Sequence, residues 1–128
     1  MGKYGEAAVE ATERVRRHGD SPKDAWETAV RHKFPTQKAS REKNCPKIAY
    51  LGLCSKGMVK EIPRDNYVKR SSLNKKYAVE AVRLLRSEPS LANNKKELWN
   101  RVQKGNWKTE NNQMDVVLGL WEKKLIIP

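Results

Sequence analysis

The chain has 128 residues, 38% of them hydrophobic and 33% charged, and its 27 Lys and Arg against 15 Asp and Glu give a formal charge of +12 at neutral pH. That length bounds it to one domain, and a half of it would bury too little surface to be comfortably stable alone. The longest unbroken apolar run, Ile48 to Cys54, falls far short of the ~20 residues that a membrane-spanning helix needs, which excludes a bilayer-crossing segment.

Met1 to Arg17 carries charges throughout and has no apolar stretch of signal-peptide kind, so the expected location is the cytosol. Ala7, Ala8, Ala11 and Val15 recur at helical spacing, with Glu6, Glu10, Glu13, Arg14 and Arg17 on the opposite side, which predicts an amphipathic first helix. His18-Gly19-Asp20 ends it. Ser21 is a good N-cap, Pro22 suits the first helical position, and Asp24 stands where an acidic residue completes a capping box. The second helix buries Ala25, Trp26, Ala29 and Val30, with Phe34 at its far end before Pro35. Pro35 to Asn44 reads as a polar, basic loop. Pro46 opens a third helix that runs to about Lys56, with Gly57 as its C-cap. Met58 to Pro63 is short, partly alternating and stopped by proline, as a brief strand or extended arm is.

The chain then repeats itself. Ser21-Pro22-Lys23-Asp24-Ala25-Trp26 returns as Asn94-Lys95-Lys96-Glu97-Leu98-Trp99, and Leu51-Gly52-Leu53 returns as Leu118-Gly119-Leu120. Ala8-Val9-Glu10-Ala11 returns as Ala78-Val79-Glu80-Ala81, and Ile62-Pro63 as Ile127-Pro128. Four blocks in the same order point to a tandem duplication, with one copy over about 3–63, a basic linker over about 64–75 and a second copy over about 76–128, all within a single domain 1–128. Asn94 then takes the capping role of Ser21, Trp107 the anchoring role of Phe34, and Asn111 or Asn112 caps the third helix of the second copy.

Each copy thus reads as three helices and a short extended segment, the outline of a winged helix-turn-helix unit. Ile48 to Cys54 and Val116 to Trp121 are apolar almost all round, however, and such helices belong in a core rather than a DNA groove. The expected fold is all-α with minor β arms: two winged-helix-like, three-helix units sharing one core about a pseudo-two-fold axis. Gly52 and Gly119 would allow close backbone approach at its centre.

Charge is the strongest functional signal, because a basic domain of this size usually meets phosphate. Residues 1–60 hold 13 basic and 7 acidic side chains and residues 61–128 hold 14 and 8, so the surplus is no tail. Lys38, Arg41, Lys43 and Lys47 surround the turn before the third helix; Lys104 and Lys108 occupy the matching stretch of the second copy; Arg64, Lys69, Arg70, Lys75 and Lys76 load the linker. Lys38, Arg41, Lys43, Lys47, Lys69, Arg70, Lys75, Lys76, Lys104 and Lys108 are therefore the candidate nucleic-acid contacts, reading phosphate more than sequence. Tyr67, beside Lys69 and without a counterpart in the repeat, is a candidate for base stacking. The plain alternative is a solvated, solubilising surface.

Chemistry is thin. His18, His32, Cys45 and Cys54 match no zinc-ligand spacing, and no nucleophile-base pair or glycine-rich phosphate loop is present. No metal, no cofactor and no enzymatic activity are expected. Cys45 reads as a cap or small buried residue and Cys54 as core, two free thiols on opposite faces of one helix.

Lys3-Tyr4-Gly5-Glu6-Ala7-Ala8-Val9, Ser21 to Trp26, Cys45-Pro46-Lys47-Ile48-Ala49-Tyr50-Leu51-Gly52-Leu53-Cys54 and Asn112 to Leu118 together resemble a group of small bacterial proteins classed as a domain of unknown function. The likeness covers nearly the whole chain, and the Cys-Pro to Leu-Gly-Leu-Cys block is its most distinctive part. It implies a stand-alone bacterial cytosolic protein and brings no activity, cofactor or site residue.

The reading is a non-enzymatic nucleic-acid-binding protein, DNA before RNA, monomer or homodimer. Two alternatives stay open: an adaptor module that binds an acidic protein partner, and a small enzyme or toxin-like factor acting on nucleic acid, for which His18, His32 or Asp115 in a common cleft would be the clue.

Overall fold

A computed structural model describes residues 1–69, 72–106 and 108–128. The described chain is helical: α1 Lys3–His18, α2 Pro22–Lys33, a four-residue α3 Lys38–Arg41, α4 Asn44–Ser55, α5 Leu73–Ser87, α6 Lys95–Gln103 and α7 Gln113–Glu122, with a 3₁₀ turn at Pro89–Asn93 before α6. Ala7, Ala8 and Ala11 are fully buried on one face of α1, and side chains that small let both α2 and α7 lie against it. Gly19, at φ 70°, ends α1 in the left-handed conformation that glycine adopts without cost. Ser21 and Asn94 are caps as expected, their side-chain oxygens accepting from the backbone N–H of Asp24 at 3.2 Å and of Glu97 at 3.1 Å.

Four expectations need correction. Pro35 to Asn44 is not all loop, since it contains α3. Helix α4 starts at Asn44, two residues ahead of Pro46, and its N-cap is Lys43 with no side-chain bond, so Cys45 caps nothing. Asn112 stands at the N-cap of α7 but makes no side-chain cap either; Glu110 does that work, its Oε2 accepting from Met114 N–H at 3.0 Å. Leu73 to Lys75, assigned to the linker, are the first turn of α5, capped by Ser72. Trp107, the expected anchor, lies outside the described residues.

Helices α4 and α7 are the core. Ala49 to Ser55 of α4 and Gln113 to Val117 of α7 are buried, as are Gly119 and Leu120. Each packs across the chain: α4 lies on α5 and α7 lies on α1. The glycines make this approach possible. A Cβ on Gly52 would stand 2.8 Å from Lys75 Cα, and one on Gly119 would stand 2.6 Å from Gly5 Cα, distances at which one backbone must move.

Both core helices stop the same way. Gly57 N–H bonds to the Cys54 carbonyl and Met58 N–H to that of Leu53; Lys124 N–H bonds to Trp121 and Leu125 N–H to Leu120. These are paired Schellman closures, with Gly57 at φ 71° and Lys124 at φ 59° in the left-handed position. The extended segments that follow meet in one antiparallel bridge, Val59 with Ile126, held by Lys60 N–H to Leu125 O at 2.8 Å and Ile127 N–H to Met58 O at 2.9 Å. The described residues show no wing hairpin, α3 adds a fourth helix to the first half, and the helices expected to read a groove, α4 and α7, are buried, so the winged-helix likeness does not extend to a reading helix.

Two hydroxyls in the core are tied together. Trp26 stacks on Tyr50 at 5.4 Å, and the Tyr50 hydroxyl shares a 3.0 Å hydrogen bond with Thr12, whose Oγ1 is also 2.9 Å from the Ala8 carbonyl. Burial, with Cys54 as neighbour, holds the Tyr50 hydroxyl protonated well above its usual range.

Candidate functional site

The helix spacing of α5 puts Leu73, Lys76, Tyr77, Glu80 and Arg83 on one stripe. That stripe forms one wall of an open cleft of about 1040 Å³. The opposite side comes from the end of α6, where Val102, Gln103, Lys104 and Asn106 stand. The segment after α4 contributes Lys56, Arg64, Asp65 and Asn66. Six cations line this concave surface, Lys56, Arg64, Lys75, Lys76, Arg83 and Lys104, against the carboxylates of Asp65 and Glu80.

Local structure places each of them. Lys56 is the C-cap of α4, and the stem of Arg64 lies over Gly57, where an added Cβ would come within 3.3 Å of it. The stem of Lys75 covers Gly52. Lys76 and Arg83 are seven residues apart on α5, or about 10.5 Å along the axis. Lys104 ends α6 at φ 53°, which turns the chain back toward α5. Lys108 stands beside the cleft, its Nζ 6.0 Å above the ring of Tyr77 and its carbonyl accepting from Trp99 Nε1 at 2.8 Å. Among the described residues, Lys56, Arg64, Lys76, Arg83 and Lys104 make no ion pair.

The basic residues expected around α3 do not line this surface; Arg41, Lys43 and Lys47 tie elements of the fold together, and Lys38 stays in solvent. Arg41 donates to the carbonyls of Phe34 and Pro35, both at 3.0 Å, and so closes the end of α2. Lys43 donates to Asn112 Oδ1 and sits 5.9 Å over the ring of Tyr4. Lys47 pairs with Glu27 at 3.3 Å. Lys38, its side chain 82% exposed, stands 3.8 Å from Glu42. Of the linker candidates, Lys69 is exposed and Arg70 lies outside the described residues. Tyr67 is half-buried, its hydroxyl donating to the Pro63 carbonyl at 2.6 Å and its N–H to Ser55 Oγ at 3.0 Å.

Sequence reasoning thus named Lys75, Lys76, Lys104 and Lys108 but passed over Lys56 and Arg83 and left Arg64 out of the contact set. A signal existed for Arg83: it follows Lys76 by seven residues, and so shares its helix face.

The groups that would have signalled catalysis are not gathered. Asp115 accepts from the N–H groups of Gly2, Tyr4 and Gly5 at 2.9, 3.0 and 3.1 Å. His18 is at the other end of that same helix α1, roughly 20 Å away by its rise, and His32 Nδ1 is 2.6 Å from Glu10 Oε2. No three of the described His, Cys, Asp and Glu residues cluster as metal ligands do, and no described helix is long and apolar enough to cross a membrane. Both cysteines are free. Burial pushes the Cys54 thiol up to about 12.

Residues 1–127 match the model of a family of unknown function, DUF6979. No curated protein and no solved structure matches the chain.

Proposed function

The chain belongs to that family of unknown function, and we propose that it is a non-enzymatic nucleic-acid-binding protein of the cytosol, DNA its first ligand, built from two copies of one helical unit. The observation that carries this reading is the cleft: six cations around one concave surface, five of them without an ion pair among the described residues, on a chain with a charge of +12. Phosphates are the ligand such an array suits, since each cation brought against the backbone releases a condensed counterion. In the other basic cluster, Lys47 is paired with Glu27 and Arg41 is bonded to two carbonyls, which leaves fewer cations free there than around the cleft.

The test is fluorescence anisotropy of labelled duplex DNA, single-stranded DNA and duplex RNA at about 50 and 200 mM salt. Wild-type protein should bind at micromolar concentration or tighter and lose affinity steeply between those salts. Lys76→Ala with Arg83→Ala should weaken binding and flatten the salt slope by about 0.7 to 0.9 per contact removed. Lys23→Ala with Lys38→Ala, which removes equal charge outside the cleft, should not. Absence of binding to every probe at the lower salt would overturn the proposal, and selective retention of an acidic protein would put the adaptor reading in its place.

A further inference from the structure

We infer that the strand this cleft takes is single: a segment of about two or three unpaired nucleotides, with bases on its apolar floor and phosphates along its basic rim. This rests on the nucleic-acid reading and narrows it.

Three observations point the same way. A protein that reads duplex DNA by a helix must present a protruding, polar-faced helix to a groove about 12 Å wide. The two helices that a winged-helix reading would send into the groove, α4 and α7, are buried among α1, α5 and each other. The basic surface is instead concave. Its volume, about 1040 Å³, is at the top of the range of about 300 to 1000 Å³ that encloses small organic ligands, which is room for a few nucleotides and not for a double helix.

The second observation is what lies between the cations. Leu73 is 51% exposed, one of three large apolar side chains on the described surface, and it stands on the cleft stripe one turn from Tyr77. Val79 and Val102 lie behind them, nearly covered. Duplex phosphates have no use for an apolar floor, because the bases they carry are stacked inside. Unpaired bases expose faces and edges that settle on aromatic and aliphatic surface.

The third is the ring of Tyr77. It is held edge-on by Trp99, with centroids 5.2 Å apart and planes at 79°, and Lys108 is above it. Its orientation is therefore set before any ligand arrives, while its hydroxyl makes no hydrogen bond among the described residues and is left to meet a base edge or sugar.

The experiment compares single-stranded and duplex oligonucleotides of the same sequence, as DNA and as RNA, with wild-type protein and two variants. Leu73→Ser removes the exposed apolar contact without touching the core. Lys104→Asn removes a rim charge while keeping a residue that tolerates positive φ. Wild type should bind single strands at least about tenfold tighter than duplex at equal salt, with affinity levelling off once the oligonucleotide covers one cleft. Leu73→Ser should lose about three- to tenfold on single strands at unchanged salt slope, whereas Lys104→Asn should lower that slope. Duplex binding as tight as single-strand binding, or a neutral Leu73→Ser, would overturn this inference and leave the phosphate reading standing. Loss of all binding would remove both.

Discussion

Asp115 shows how one side chain can join the two ends of a chain. Its carboxylate accepts three backbone N–H groups at the start of α1, a helix whose own N-cap, Gly2, has no side chain to offer. Space explains the glycines there, since a Cβ on Gly2 would stand 2.6 Å from Asp115 Oδ2 and one on Gly5 2.7 Å from its carbonyl oxygen. Asp115→Ala takes that partner from all three donors, those of Tyr4 and Gly5 being buried, and should destabilise the protein by about 2 to 4 kcal/mol in urea denaturation, with Asp115→Asn intermediate. Cys54 makes a second residue-scale prediction. Burial raises its thiol from 9.0 to about 12 in the folded protein, so the native state holds this proton more tightly than the unfolded chain. The sign follows from linkage: the contribution is intact below about pH 9 and is lost as pH rises from there toward 12. Replacing the thiol in Cys54→Val should therefore reduce the fall of stability with pH over that interval. In native protein at pH 8 a thiol reagent should titrate part-exposed Cys45 quickly and Cys54 only on unfolding. A Cys54 that reacts as fast as Cys45 would contradict this.

At the scale of elements, the caps were the most legible feature. Ser21 and Asn94 are read from residue type and position alone, because a cap is a local device that satisfies its own helix end. Of the caps that sequence missed, two are nearly as local: Ser72 accepts from Lys75 N–H and Glu110 from Met114 N–H four residues on, each in a stretch read as linker or assigned to a neighbouring asparagine. Only Asp115 acts from far away, serving a helix at the opposite end of the chain. The short α3 was missed for another reason: its four residues bury no apolar side chain and have no periodicity to detect. The two Schellman closures invite a direct comparison. Gly57 takes its left-handed conformation freely, while Lys124 at φ 59° carries the steric cost of a Cβ. Lys124→Gly should raise stability by about 1 kcal/mol, read from the urea midpoint.

At the scale of the molecule, the pairing of α4 with α5 and of α7 with α1 means that each half of the chain supplies the cover for the other half's core helix. Residues 1–66 alone would leave the apolar surface of α4 in water, and residues 72–128 alone would do the same to α7. Each fragment should be largely unfolded by circular dichroism, and an equimolar mixture should regain helix. Independent folding of either fragment would show that the exchange of helices is dispensable. The cleft depends on the same exchange, since Lys56 and Arg64 follow α4 while Lys76, Arg83 and Lys104 belong to α5 and α6.

The six longer helices, the cysteines as free thiols and the apolar character of α4 and α7 were determined by the sequence itself, since periodicity and capping chemistry act within a few residues. Charge pointed to a ligand class but not to a place. Ten basic residues looked alike in the sequence. Only packing decided that Arg41, Lys43 and Lys47 would be turned to carbonyls, an amide and a carboxylate. It was packing, too, that set Lys56, Arg64 and Arg83 beside Lys76 and Lys104 around one hollow. The reason is range: a helix is specified by neighbours three and four residues apart, whereas a cleft is the gap left where segments distant in sequence fail to touch.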